Sequence, residues 1–347
     1  MNHTRRIATL KDVAQATGYS VNTVSRALRD KEDISPETKT LIKNNAGKLG
    51  YIVNASASSL RLGRTNTIAV ILGDISNPHF SIMMKEIESR AWQDGYNSFL
   101  LNTNEDLGME REAIRTVLGR KVDGIIICPS QQDDSNIRYL MEKHIPFVQI
   151  GRRFNSLSSL KANYVICNDE LGGYQAAKYL LEKGHRDIVM LTGPSYISSA
   201  RERYEGYRRA LREYGIRYRS SMVRESSLTG CAGVVENLLK EKIRFTAIFA
   251  FSDMLAWGVW TSLHKAGLRV PEDCSLVGFD NIQSRFAIPF RLTTISPSKA
   301  KMSTTAVECL FCIMNGEQTK HTECDGLCRH VIDTELVEGE TVRDLCG

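Results

Sequence analysis

From Thr67 onward, short apolar runs alternate with amphipathic helical stretches, and this alternation constrains the fold more than any other feature of the chain. Residues 67–72 read as a buried strand, followed by a helix at about 80–94. Further strands are expected at 98–102, 124–128 and 147–150. The pattern restarts at 164–167, with more strands at 188–191, 247–250 and 275–277. Strands separated by helices run parallel, so two such series predict two Rossmann-like α/β lobes. Small molecules bind such sheets at the carboxyl ends of the strands. The loops expected there carry His79 and Phe80, Arg152 and Arg153, Asp253, and Asp280. Ser199 and Arg203 lie in the stretch from Ser198 to Arg203 that precedes Gly206-Tyr207. An Arg and an Asp facing one another can hold paired sugar hydroxyls while an aromatic ring covers the apolar sugar face. Asp253 could equally cap the helix behind it, Arg153 could be a surface residue, and His79 is as readily a loop residue as a ligand.

At 347 residues the chain is too long for that body alone, and about two or three domains are expected. Charge separates the remainder. Residues 1–64 hold 11 Lys and Arg against 5 Asp and Glu, a balance of +6. The rest hold 34 against 35, a balance of −1, so the formal net charge of +5 comes from the N-terminal part. A basic head on a near-neutral body suits a polyanion partner, although a solvated basic face would look the same.

The head carries helix signals at short spacing. Thr9 can cap a first helix with Asp12 in its first turn, and Val13 and Ala14 supply its apolar face. Gly18 allows a turn with positive φ, and Ser20 can cap a second helix from Val21 to Leu28. Val24, Ala27 and Leu28 form its inward stripe, which leaves Asn22, Ser25, Arg26 and Arg29 facing outward. Asn can pair with adenine and Arg with guanine in the major groove, and Val21 could touch a thymine methyl. Ser35 and Pro36 open a third helix, whose Leu41, Ile42, Ala46 and Leu49 are expected to complete the core. A three-helix module that binds protein fits the same pattern. Asn54 can cap a further short helix, which is marginal alone and could fold only on DNA, or could be a plain tether.

In combination these motifs resemble the LacI/GalR family of bacterial transcriptional repressors. The resemblance rests on Thr9-Leu10-Lys11-Asp12-Val13-Ala14, Ser20-Val21-Asn22-Thr23-Val24-Ser25-Arg26, Leu49-Gly50-Tyr51, the stretch from Asn54 to Leu60, and Gly63-Arg64-Thr65. It implies a multidomain fold: an all-α helix-turn-helix head over residues 1–53, a hinge helix and linker over 54–65, and a periplasmic-binding-protein-like α/β body over 66–347. Lobe 1 would hold about 66–165 and 296–325, and lobe 2 about 166–295 and 326–347, with the last strand at 331–336 in lobe 2. DNA contacts would come from Val21, Asn22, Thr23, Ser25, Arg26 and Arg29, with Asn54, Ala57 and Leu60 in the minor groove, where Leu60 would wedge open a base step. Effector contacts would come from Phe80, Arg203 and Asp280, then Asp253, Arg152, Ser199 and His79. The implied partners are a near-palindromic DNA operator, a small effector of sugar type and a second copy of the chain, with a tetramer left open. Two departures stand out: Ser58-Ser59 where relatives often have longer side chains, and Ser252 where they often have Asn.

Other function classes lack their motifs. The chain has no Walker-type phosphate loop, no Gly-x-Gly-x-x-Gly, no Gly-x-Ser-x-Gly and no His-Glu-x-x-His. An enzyme is therefore not expected, nor a cofactor. A regulator whose body binds a protein corepressor stays open. No secretory h-region and no membrane-length apolar run is visible, so a cytoplasmic protein with reduced thiols is expected. Among its nine cysteines, Cys309/Cys312 and Cys324/Cys328, with His321 and His330, loosely resemble a zinc site. The helical context of Cys309 and Cys312 favours packing over metal binding.

Overall fold

The computed structural model describes residues 8–52, 64–154, 162–227, 229–285, 290–317 and 326–346. The chain falls into two compact units, Met1–Thr65 and Asn66–Gly347.

In the first unit, helix α1 (Leu10–Thr17) begins in a capping box. The Thr9 amide donates to the Asp12 carboxylate at 2.7 Å, and the Asp12 amide donates back to the Thr9 hydroxyl at 3.4 Å. Gly18 ends the helix at φ 73°, where a side chain would be strained. Helix α2 (Val21–Ala27) is capped by Ser20, whose hydroxyl accepts from the Thr23 amide at 3.1 Å. Ser35 caps α3 (Pro36–Lys48), with Pro36 at its first position. Val13, Ala14, Val24, Ala27, Ile42 and Ala46 close the core. Leu41 and Leu49, expected there, are instead 46% and 41% exposed. Ile42 and Ala46 lie one turn apart on the inward face, and Leu41 is rotated about 100° from Ile42. Leu49 has already left the helix as its C-cap.

The second unit holds two six-stranded sheets. The first contains β1 (Thr67–Leu72), β2 (Asn97–Asn102), β3 (Gly124–Ile127), β4 (Phe147–Ile150), β5 (Tyr164–Cys167) and β11 (Arg329–Ile332), all parallel, in the order β11-β5-β4-β3-β1-β2. The second contains β6 (Ile188–Thr192), β7 (Val223–Glu225), β8 (Ala247–Ala250), β9 (Ser275–Phe279), β10 (Thr293–Pro297) and β12 (Thr334–Val337), in the order β12-β10-β9-β8-β6-β7. Only β12 is antiparallel to its neighbour. The central strands are buried on both faces, as β1 and β3 show, which is why they read as continuous apolar runs.

Two expectations about the connections are corrected. The strand 164–167 does not start the second lobe: Gln149 pairs with Tyr164 and Ile150 with Val165, so it completes the first sheet. The strand expected at 331–336 in lobe 2 is two strands. Arg329–Ile332 pairs with β5 in the first sheet, and Thr334–Val337 pairs with β10 in the second. The chain thus passes between lobes at Asn168, at Ser298 and at Asp333. The helix Lys299–Asn315 returns to the first lobe, burying Met302, Ala306, Val307, Cys309 and Leu310 in the core that also holds Cys328. Cys324 and His321 lie outside the described residues. No described helix is long and apolar enough to cross a membrane.

In the second lobe the helices Asp169–Glu182 and Ser198–Glu213 cross at unusually short range. A Cβ on Gly173 would lie 2.1 Å from the Arg203 carbonyl oxygen, and one on Gly206 would lie 2.1 Å from the Glu170 carbonyl oxygen. Neither neighbour is a movable side-chain tip, so no larger residue fits without separating the helices. Gly206→Ala is expected to destabilise the protein by about 1–3 kcal/mol, as overpacking does. Urea unfolding of the full-length protein measures it, and an unchanged midpoint would mean the helices can part at no cost.

Candidate functional site

The carboxyl ends of the strands in both sheets face a shared cavity of about 350 Å³. That volume lies within the range of small-molecule sites, about 300–1,000 Å³. His79, Phe80, Arg152, Ser199, Arg203 and Asp280 all line it. The first lobe also contributes Asp74, Asn77, Glu105 and Cys128, and the second contributes Ser226, Ser227 and Phe251.

Arg203 is 5% exposed and held on three sides. Its Nε donates to Asp169 Oδ1 at 2.7 Å and its Nη1 to the Phe251 carbonyl at 2.5 Å. Its guanidinium carbon lies 3.4 Å from the centroid of the Phe279 ring. Nη2 stands 3.8 Å from Asp280 Oδ1, beyond direct hydrogen bonding. The close helix crossing sets this arrangement, because Asp169 starts one helix and Arg203 lies on the other. Arg152 is the second fixed cation. It donates to both oxygens of Glu105, at 2.5 and 3.0 Å, and its guanidinium carbon stands 5.9 Å from the centroid of the Phe80 ring.

Asp280 has a backbone φ of 109°, an uncommon conformation for a residue with a side chain. Its carbonyl accepts from the Lys299 ammonium, and its amide donates to the Ile295 carbonyl at 2.8 Å. Burial pushes the Asp280 carboxyl up to about 6, against the pull of Arg203, Lys299 and Arg152. His79 Nδ1 lies 3.5 Å from Asp280 Oδ1. Burial, then the charges of Lys299, Arg203 and Arg152, hold this imidazole well below its ordinary value. At neutral pH it is uncharged, so the pair is not an ion pair. Its buried Nδ1 has no hydrogen-bond partner among the described residues.

Asp253 does not line the cavity. It is fully buried behind Asp280, where its Oδ1 accepts from the Thr294 hydroxyl at 2.5 Å and its Oδ2 from the Ile282 amide at 2.9 Å. The helix cap is its neighbour Ser252, whose hydroxyl accepts from the Leu255 amide at 3.2 Å. Burial and the Asp280 charge push Asp253 up to about 8.

The lobes also touch beside the cavity. Gln131 of the first lobe is buried at φ 66°. Its Oε1 accepts from the Ser198 amide at 2.8 Å, and its Nε2 donates to the Arg153 carbonyl at 2.6 Å. Arg153 itself reaches Glu202 at 3.5 Å, and Arg285 pairs with Glu86 at 2.7 Å. Arg153 is therefore an inter-lobe residue with a quarter of its side chain exposed. Sequence reasoning missed Glu105, Gln131, Asp169 and Lys299. Each acts through a partner distant in sequence, and no local motif marks it. Asn77 and Phe251 were within the loops singled out by their position after strands.

In the head, Val21, Asn22 and Arg26 are exposed on α2, and Thr23, Ser25 and Arg29 are half-buried. They lie away from Val24 and Ala27, which face the core. Asn54, Ala57 and Leu60 lie outside the described residues.

Known proteins share both units. Residues 9–54 match the family described as bacterial regulatory proteins of the lacI family. Residues 65–323 match periplasmic binding proteins and the sugar binding domain of the LacI family. The HTH-type transcriptional repressor PurR of Vibrio vulnificus (strain CMCP6) is 31% identical over 98% of this chain and 100% of its own. Among solved structures, a lac repressor dimer bound to operator and the anti-inducer ONPF is similar with a TM-score of 0.84 and 25% identity, over 97% of this chain and 100% of its own. A complex of the transcriptional regulator CelR with cellobiose is similar with a TM-score of 0.71 and 26% identity, over 96% and 99%.

The raised carboxyls give stability a pH dependence of known sign. Both fold with pKa values above the ordinary carboxylate value of about 4, at about 6 for Asp280 and about 8 for Asp253. The stability they contribute is full below about pH 4 and is lost as pH rises through those values. Asp253→Asn is expected to remove the part lost between about pH 6 and 8. Melting temperatures of parent and variant across this range check it, and parallel curves would place the ionisation elsewhere.

Proposed function

We propose that this chain, which belongs to the LacI family of bacterial regulatory proteins, changes its operator affinity when a neutral sugar or sugar derivative enters the cavity between its two lobes. Its class is that of DNA-binding transcriptional repressors with a ligand-binding effector domain. The observation that carries the ligand reading is the set formed by Arg203 Nη2 and Asp280, 3.8 Å apart, beside the unpartnered His79 Nδ1 and the Phe80 ring. A pair of vicinal hydroxyls can bridge such groups while a ring covers the apolar sugar face. The cellobiose named for the similar CelR complex points to the same chemistry.

Val21, Asn22, Thr23, Ser25, Arg26 and Arg29 form the major-groove reader. Asn54, Ala57 and Leu60 supply the minor-groove contact within the linker 54–65. Two copies of the chain place two heads on a near-palindromic operator, because two-fold protein symmetry is mirrored in the DNA. The protein works in the cytoplasm and needs no cofactor. A ligand with different affinity for two lobe arrangements shifts their populations, and the coupling is reciprocal, so DNA also alters ligand affinity.

Two experiments test this reading. The full-length protein is screened by thermal shift against neutral sugars, sugar phosphates and nucleobases. A ligand at about 100 times its Kd stabilises by about 2.7 kcal/mol, a shift of several degrees. A neutral sugar should give this shift in the parent, and Arg203→Ala and Phe80→Ala should lose it while still binding operator. A shift from nucleobases alone, or one that survives both substitutions, would overturn the ligand assignment. Arg26→Ala should lose sequence-specific binding and keep salt-sensitive binding to unrelated DNA. An equal loss on every sequence would rule Arg26 out as a base reader.

A further inference from the structure

We propose that Asp33 is a positioning residue for operator reading: its carboxylate holds one edge of the Arg26 guanidinium and leaves the other edge for a base. This rests on the assignment of Arg26 as a base reader. Arg26 Nε donates to Asp33 Oδ2 at 2.8 Å, and Arg26 Nη2 lies 2.6 Å from the same oxygen. The guanidinium fork has two edges that can make paired hydrogen bonds. Asp33 takes the Nε/Nη2 edge. The Nη1/Nη2 edge remains to meet the O6 and N7 acceptors of guanine.

The loop that carries this carboxylate is itself tied down. The Lys31 amide donates to the Arg26 carbonyl at 3.2 Å, and the Ile34 amide to the Lys31 carbonyl at 3.2 Å. Lys43 holds Asp30 at 2.5 Å on the same loop. Ser35 then caps the third helix. The hydrogen bond from Arg26 holds the Asp33 carboxyl below its usual range, so it stays charged at neutral pH. A stability role does not account for the pair. Its side chains are 46% and 49% exposed, and exposed pairs contribute little. Positioning has a clear benefit, because an arginine ordered in advance loses less rotamer freedom when it meets a base. A carboxylate beside the fork also repels phosphate, which discourages Arg26 from settling on the DNA backbone.

The test uses the full-length protein and a randomised pool of DNA duplexes. A preferred duplex is selected with the parent, and affinities are measured at fixed salt for it, for each single-base-pair variant and for unrelated DNA. The proteins compared are the parent, Arg26→Ala, Asp33→Ala, Asp33→Glu and the double variant Arg26→Ala/Asp33→Ala. Asp33→Ala should weaken discrimination about tenfold at the base pairs where Arg26→Ala weakens it. Its affinity for unrelated DNA should be unchanged or higher. Asp33→Glu should restore most of the discrimination, and the double variant should be no worse than Arg26→Ala. Full discrimination by Asp33→Ala, or a loss that adds to that of Arg26→Ala, would overturn the positioning role and leave Arg26 as a reader. If Arg26→Ala alters no base preference, the reader assignment and this proposal both fall. Thermal melting of each variant separates these results from misfolding.

Discussion

The second lobe depends on two helices crossing closely enough that only glycine fits between them. Gly173 and Gly206 meet carbonyl oxygens of the opposite helix where any side chain would collide. This contact brings Asp169, at the start of one helix, against Arg203 on the other. A buried ion pair stabilises only when its geometry is good and its other hydrogen bonds are made. Here the Phe251 carbonyl and the Phe279 ring complete the surroundings of the guanidinium. Backbone packing has therefore fixed the most important cation of the cavity before any ligand arrives.

The rest of the cavity follows from how its charges are spent. Arg203 is neutralised by Asp169 and Arg152 by Glu105, so neither is a free cation seeking an anion. Burial keeps His79 uncharged, and Asp280, at about 6 still mostly ionised at neutral pH, stands beside the cations Lys299 and Arg203. What faces the interior is a set of directional donors and acceptors with little net charge. Such a surface offers directional hydrogen bonds, and a buried group left unpaired there costs free energy.

Much of this was legible in the sequence. Strands buried on both faces leave continuous apolar runs, so the series from Thr67 could be read directly, as could the caps at Thr9, Ser20 and Ser35. Six of the seven proposed cavity residues line the cavity, because strand ends in an α/β sheet mark a location and the family motifs mark positions within it. The failures share a cause. Asp253 occupies the same kind of loop position as Asp280, but only the fold shows that Thr294 and Ile282 enclose it. Leu41 is as apolar as Ile42, and only helix phase separates them. The run from Val331 to Leu336 looks like one strand because a single residue, Asp333, divides two strands of different sheets. Gln131 and Glu105 are ordinary polar residues until their partners on other elements are known.

That single residue has a mechanical meaning. The three passages between the lobes are laced side by side. The Asn168 amide donates to the Ile332 carbonyl at 2.8 Å, and its side chain donates to the Asp333 carboxylate at 3.1 Å. On the other side, Pro297 pairs with Thr334 and Ser296 with Glu335. One tether would leave two rigid bodies free to twist and swing in every direction. A ribbon of three, cross-bonded along its width, resists twist and in-plane shear and yields mainly by folding across its width. The body therefore has the build of a hinge, with its three strips of chain bonded edge to edge.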